Sequence, residues 1–332
     1  MLSKLSILNG LEACRVLFVA RHRSDWVYAP YPSVFLLWWL SWVPRRIRPR
    51  VVSDAYVSLW DAAFRDRNAA SEGSLVSRLV RRFESRSLRA AELVLVDTCA
   101  NKAWFISDFG VEPERIRVVP LAIRIPEPTT DQQAGRSDPP SPLSVLFVGT
   151  LVPLHGIRIV ADAVRRLAKS RANVTFHFIG DGQDRELLEA LCAEMGGNVV
   201  TWDRTWKSTD EIYDSMRSAH VCLGVFGGGG KASRVLPFKV YMALAAGRAV
   251  VTQADWSLPD GVPPPPVIKV AADGASLAEA LDGLSRDRSG LRSLSEQAEG
   301  YFQRHLGVAS IATAWRSILD PGRPGGSGSS QS

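Results

Sequence analysis

The chain has 332 residues, 46% hydrophobic and 22% charged, which is enough to bury the cores of two domains of ordinary size and excludes a disordered or fibrous protein. Its four cysteines, Cys14, Cys99, Cys192 and Cys222, are scattered without metal-ligand spacing, which excludes a disulfide scaffold and a zinc module. The net charge of +6 is uneven: residues 1 to 126 hold 19 Lys and Arg against 12 Asp and Glu, whereas the remainder holds 21 against 22, so an anionic partner is expected on the first half.

Residues 2 to 22 read as a helix with Leu5, Leu8, Leu11 and Ala13 on one side, although Arg15 to Ala20 also reads as a strand. Glu12 and Arg15 interrupt the apolar run, against a cleaved signal. Asp25 to Ser33 gives a short strand ended by Pro30 and Pro32. Val34 to Arg50 is a tryptophan-rich apolar decapeptide followed by four arginines within six residues. Ten residues are too few to span a bilayer, which takes about 20. Two readings stay open. One is an interfacial helix with Trp38, Trp39 and Trp42 at headgroup depth and Arg45, Arg46, Arg48 and Arg50 on lipid phosphates; the other is a helix buried against a sheet.

Val51 to Arg67 reads as a strand followed by polar residues, with Asp54, Ser58 and Asp61 at its end. A carboxylate at a strand end faces the cleft of a doubly wound fold and can contact an acceptor hydroxyl, so Asp61 and Asp54 are the catalytic candidates; the local alternative is capping of a turn or helix. A basic amphipathic helix (Leu75 to Arg89), a strand (Ala91 to Thr98), a helix closed by Gly110 and a strand (Arg115 to Ile123) follow, an alternation that implies a parallel sheet. Residues 126–142, rich in proline and polar residues, read as a linker and hinge.

The second half alternates again. Strand Val145 to Val148 leads to a loop, Gly149 to His155, and a helix through Lys169; strand Val174 to Ile179 leads to the loop Gly180 to Gly182. Gly180-Asp181-Gly182 lacks the third glycine of a dinucleotide fingerprint, which argues against an oxidoreductase. A nucleotide base is expected to stack near Trp202, in the strand and loop Val199 to Ser208. Cys222 to Val251 then places a buried strand, four glycines (Gly227 to Gly230), Lys231 and Arg234, a helix opened by Pro237 with Lys239 in its first turn, and Gly247 at its end. A glycine loop with paired cations beside a helix N-terminus is the chemistry of an anion cradle. Val267 to Val270 is a late strand, helices run through Leu319, and residues 321–332 read as a disordered tail. No zinc-finger spacing or RNA-binding aromatic signature supports a nucleic-acid partner.

Lys231 to Val251 is similar to the donor-diphosphate segment of retaining GT-B glycosyltransferases of family four (bacterial, group 1 type). Val145 to Val164 resembles the first strand, loop and helix of their nucleotide-binding domain, Phe178 to Leu191 the next unit, and Val51 to Arg67 a segment of some bacterial relatives. The resemblance implies an α/β fold of two doubly wound, Rossmann-like domains facing across a cleft: an acceptor-side domain over 1–125, short for this architecture at its start, and a nucleotide-sugar domain over 143–320 whose last helix crosses back. It implies that Lys231, Arg234, Lys239, Gly149 and Thr150 hold the donor diphosphate and that Gly180, Asp181, Gly182, Trp202 and Met242 surround the nucleoside, with His155 a further donor-side candidate. Met242 stands where the family commonly places the glutamate that holds the ribose. The implied activity is transfer of a hexosyl unit with retention, without metal or cofactor, from a nucleotide sugar to a lipid-linked or glycan acceptor. Bacterial surface polysaccharide or glycolipid synthesis is the expected setting, and the cytoplasm, peripheral to the inner face of the membrane, the expected place. A degenerate GT-B protein that binds nucleotide without turnover is the alternative.

Overall fold

Strands with apolar side chains on both faces alternate with helices that carry an apolar stripe, and they sort into two parallel sheets. The computed structural model describes residues 2–20, 26–67, 69–123, 125 and 142–319. The expected linker, apart from Pro142, and the expected tail lie outside the described residues.

In the first domain the helix reading of the opening segment holds, as α1 (Leu2–Val19). It is followed by β1 (Trp26–Ala29), α2 (Val34–Leu40), β2 (Arg50–Asp54), α3 (Leu59–Phe64), α4 (Leu75–Leu88), β3 (Leu93–Val96), α5 (Cys99–Phe109) and β4 (Ile116–Val118). The strands pair in parallel in the order β1-β2-β3-β4. Period-two alternation separates the two faces. Val51, Val94, Val96 and Ile116 join a core with Leu37, Leu40, Trp60, Phe105 and Phe109. Val52, Leu93, Leu95 and Val119 instead meet Ile311, Trp315 and Ile318 of the last helix, α13 (Val308–Leu319). The chain end crosses back to close the second face of this sheet.

The second domain contains β5 (Leu143–Val148), α6 (Ile157–Lys169), β6 (Val174–Ile179), α7 (Arg185–Met195), β7 (Val200–Asp203), α8 (Thr209–Ser218), β8 (Val221–Leu223), α9 (Lys231–Arg234), α10 (Phe238–Ala245), β9 (Ala249–Gln253), β10 (Ile268–Val270), α11 (Gly274–Arg286) and α12 (Arg288–Tyr301). Its sheet is parallel in the order β10-β9-β8-β5-β6-β7. Strand order reverses between β5 and β8, so the loops after these two strands part there and leave a crevice at the carboxyl edge. Apolar clusters fill both faces, one around Phe147 and Phe178, the other around Tyr241, Leu244 and Tyr301.

Candidate active site between the two domains

The cradle segment differs from its sequence reading in one respect. Lys231 to Arg234 is a turn of helix, α9, rather than part of an open loop. The preceding glycines are pinned: the Gly228 N–H donates to the buried Gln253 side chain at 3.0 Å, and Gln253 returns a bond to the Gly228 carbonyl at 3.0 Å. Pro237 caps α10 one position before the helix begins, and Gly247 closes it at φ +63°, the left-handed conformation that glycine adopts at no steric cost.

Both cations of α9 reach across to the first domain. Lys231 Nζ lies 3.2 Å from Asp66 Oδ2, and Arg234 Nη2 lies 2.5 Å from Asp61 Oδ2. Arg234 also covers the Trp104 ring, 4.1 Å from its centroid, and its carbonyl accepts from Thr98 Oγ1. Asp61 sits in α3 beneath the Ser58 cap, with Arg65 3.7 Å away. Burial raises the Asp61 pKa and lowers that of Arg234, and each charge partly offsets the other's shift. Asp97, directly after β3, is 3% exposed, accepts from Asn101 at 3.0 Å and is pushed up to about 6 by burial, with Lys231 among the charges acting on it. Asp54 ends β2; it accepts from the Tyr28 hydroxyl at 3.1 Å and from the Tyr56 N–H at 3.2 Å, and burial raises its pKa. Sequence reasoning picked out Asp54 and Asp61 but missed Asp66 and Asp97. Asp97 carried the same signal as Asp54, a carboxylate directly after an apolar strand.

The other side of the crevice is the turn after β5. Lys239, in the first turn of α10, lays its ammonium over Phe147, 4.4 Å from the ring centroid, where it is buried without a hydrogen-bond partner. That burial pushes its pKa down to about 7. A side chain on Gly149 would crowd this corner: a Cβ would stand 2.9 Å from Lys239 Nζ and 3.0 Å from His155, at a φ of +148°. His155 bonds the Thr150 carbonyl through Nδ1, and burial, then the Lys239 charge, pushes it down to about 3, so the imidazole is neutral. Gly149, Thr150, His155 and Lys239 therefore form one corner.

The remaining expected nucleoside residues divide. Gly180 and Gly182 serve close backbone approach: a Cβ on Gly180 would meet the Gly149 carbonyl oxygen at 2.3 Å, and one on Gly182 the Leu151 backbone nitrogen at 2.7 Å. Trp202 donates from Nε1 to the Gly180 carbonyl at 2.8 Å and lies under Arg204. Asp181 is tied to Arg185. Met242 is 6% exposed within an apolar cluster and offers no hydrogen-bonding oxygen to a ribose.

The tryptophan-rich segment forms the helix of the buried reading, and of the residues expected at a lipid surface, Trp38, Arg48 and Arg50 are held by protein contacts instead. Val34, Leu36, Leu37 and Leu40 are buried and Trp38 packs on Phe83, while Trp39 and Trp42 are 41% and 62% exposed. The arginines are not equivalent. Arg45 and Arg46 are exposed, but Arg48 donates to the Val43 and Ala90 carbonyls and Arg50 stacks on Trp26. Among the described residues no group of three or more His, Cys, Asp or Glu could hold a metal ion, and no helix is long and apolar enough to cross a membrane.

Residues 142–287 match the sequence profile described as glycosyl transferases group 1, and residues 4–122 match that of a glycosyl transferase 4-like domain. No curated protein matches the chain. Among solved structures it is similar to HepE of Anabaena in complex with UDP, at 16% identity over 93% of this chain and 82% of that one, with a TM-score of 0.67. Sucrose-phosphate synthase of Thermosynechococcus elongatus aligns at 19% identity over 89% and 73%, with a TM-score of 0.69. WaaG, a glycosyltransferase involved in lipopolysaccharide biosynthesis, aligns at 19% over 82% and 78%, with a TM-score of 0.59. These likenesses show that the fold is GT-B.

Proposed function

The chain is a glycosyltransferase of GT-B architecture with a group 1 second domain, and we propose that it moves a hexosyl unit, with retention, from a nucleoside-diphosphate sugar to a lipid-linked or glycan acceptor in the cleft. Bacterial surface polysaccharide or glycolipid synthesis is the setting we assign to it. The observation that carries the donor side is the buried ammonium of Lys239, which has no hydrogen-bond partner beside Gly149 at the reversal of strand order. A diphosphate placed there supplies the missing acceptors and restores the charge that burial suppresses. Lys231 and Arg234 stand on the same side, so three cations would neutralise the charge that develops on the departing diphosphate, the work a divalent cation does elsewhere. Asp61 is engaged with Arg234 and acts as its positioning partner. Asp54, which is not ion-paired to the second domain, is the carboxylate we assign to the acceptor hydroxyl. Uridine is the base to try first, since similar structures hold UDP and UDP-glucose.

Thermal shift against uridine, guanosine, thymidine and adenosine diphosphates tests this reading, because a ligand bound only by the folded state raises its melting temperature. One base should stabilise the wild type and lose its effect in Lys231→Ala. No shift with any of the four overturns the donor site.

The rival reading, a nucleotide-binding partner without turnover, draws on Met242 and on the engagement of Lys231 and Arg234 with Asp66 and Asp61. Release of UDP from a UDP-sugar on addition of acceptor separates the two. We further assign Trp39, Trp42, Arg45 and Arg46 to contact with an anionic membrane face. Co-sedimentation with anionic liposomes should fall when Arg45, Arg46, Arg48 and Arg50 are all serine, and unchanged binding removes the assignment.

A further inference from the structure

At the edge of the first sheet away from the cleft, the segments leading into β2, β3 and β4 bring five guanidinium groups around one cavity of about 520 Å³. Arg45, Arg48, Arg50, Arg89 and Arg115 line it, with Glu92 as the only carboxylate among its lining residues. Arg50 opens β2, Glu92 directly precedes β3 and Arg115 directly precedes β4, whereas Asp54 and Asp97 stand at the opposite, carboxyl ends. Strands of three to five residues at about 3.3 Å each keep the two ends roughly 10–15 Å apart. A diphosphate held by the cleft cations does not reach this cavity.

Two of the arginines are fixed in place. Arg48 donates to the Ala90 carbonyl at 3.1 Å and the Val43 carbonyl at 2.8 Å, and its Nε is buried without a partner. Arg115 donates to the Arg89 carbonyl at 3.1 Å and pairs with Glu112 at 2.7 Å. Burial, followed by the charges of Arg45 and Arg115, depresses the Arg48 pKa, so like charges crowd here without a matching set of carboxylates. An adjoining groove adds Arg86, which stacks on Trp42 at 3.9 Å. Trp42 and Ile47, on the loop that leads to Arg48, are 62% and 68% exposed.

Guanidinium groups gathered around one cavity, two of them held in fixed forks, match the oxygens of a phosphate, which can accept from several of them at once. We propose that this cavity is a second anion site that binds a phosphate or diphosphate group, carried by a lipid headgroup or by a soluble phosphate. The bound anion would relieve the repulsion among the arginines and occupy the Arg48 Nε–H.

The test compares wild type, Arg45→Glu/Arg89→Glu and, as a control of equal charge change, Arg166→Glu/Lys169→Glu, two exposed cations of the second domain that do not line the cavity. In the first arm, inorganic pyrophosphate is titrated by thermal shift with UDP at saturation. The cavity variant should bind at least about tenfold more weakly than wild type, the control unchanged. In the second arm, flotation with phosphatidylglycerol vesicles is set against vesicles of phosphatidylcholine alone. Loss of both pyrophosphate binding and flotation in the cavity variant, but not in the control, identifies a lipid headgroup as the source; loss of pyrophosphate binding with flotation intact identifies a soluble phosphate; loss of flotation with pyrophosphate binding intact reports only surface contact through Arg45 and overturns the proposal. Should the double variant not fold, Arg45→Glu alone takes its place. Equal losses in the cavity variant and the control, or no response of the wild type in either arm, overturn the proposal. None of these outcomes depends on turnover in the cleft.

Discussion

Asp61 and Arg234 are 173 positions apart in the chain and 2.5 Å apart in the fold, and Asp61 is only 1% exposed. A cation assigned to the donor phosphates is thus already held by a carboxylate of the facing domain, and Lys231 with Asp66 repeats the arrangement. At the proposed donor site, phosphate and carboxylate would compete for the same two cations, which would couple donor binding to the contact between the domains.

Removing the carboxylate should therefore expose the coupling. Asp61→Asn strands the Arg234 guanidinium in a buried setting, a loss of about 3 kcal/mol or more. UDP should restore part of it, so its stabilising shift should be larger in Asp61→Asn than in the wild type. A smaller shift would mean that the phosphates do not use Arg234.

Lys231→Ala and Arg234→Ala should each weaken UDP by roughly 1.5–3 kcal/mol, the range for charge-assisted hydrogen bonds. Titration calorimetry reads this directly. Wild-type affinity in both variants would refute the cradle assignment.

Lys239 gives the binding a pH dependence. Burial holds its pKa at about 7 in the free protein against the usual 10.5, so above pH 7 it is progressively neutral. A bound diphosphate raises it again, so binding above pH 7 takes up a proton. Terminal phosphates, with a pKa of about 6, are fully ionised there. Between about pH 7.5 and 9.5 the affinity for UDP should fall by up to about tenfold per pH unit. In Lys239→Met binding should be weaker and flat over this range; parallel slopes in the two proteins would place the proton elsewhere.

The glycines at the switch point should separate binding from folding. In Gly149→Ala the new methyl meets the end of a flexible lysine at 2.9 Å, so Lys239 shifts and UDP binding suffers most, with a modest loss of melting temperature from the positive φ. In Gly180→Ala it meets the Gly149 carbonyl oxygen at 2.3 Å, which cannot yield without backbone movement, so stability should fall by roughly 2 kcal/mol or more. Melting temperatures and UDP titrations of the two variants check the order.

Glu84 sets a further pH window. It is 1% exposed, accepts from the Ser58 hydroxyl and the Leu59 and Trp60 N–H groups at 2.8–3.0 Å, and burial pushes its pKa up to about 7 from 4.5. The folded state holds a proton that the unfolded chain releases between these values. Its contribution is complete below pH 4.5 and lost as pH rises to about 7, roughly 3 kcal/mol in all. The melting-temperature difference between pH 5 and pH 8 should be smaller in Glu84→Gln than in wild type; an unchanged difference would exclude Glu84 as its source.

Much of the fold could be read in the linear chain because its signals are local. Pro237 and Gly247 bracket α10, Gly110 closes α5, and the alternation of apolar runs with amphipathic stretches implies parallel sheets. The cations Lys231, Arg234 and Lys239 stood out for the same reason, since a glycine run and a helix start flank them. Their partners did not. Asp66 is an ordinary carboxylate in sequence and gains meaning only opposite Lys231, and Asp97, which carried a strand-end signal, was passed over.

The sequence by itself determined most of the strands and longer helices, that they form parallel sheets, and that a cation-bearing glycine segment lies beside a helix start, because propensity, capping and periodicity act over a few residues. Only the tertiary structure decided which residues of α13 close the first sheet, that Asp61 and Asp66 reach α9, that Lys239 is buried without a partner, and that five arginines gather at the far sheet edge. These depend on strand order and on the packing of segments distant in the chain. Burial, which sets the pKa of Lys239 and Glu84, exists only once those segments meet.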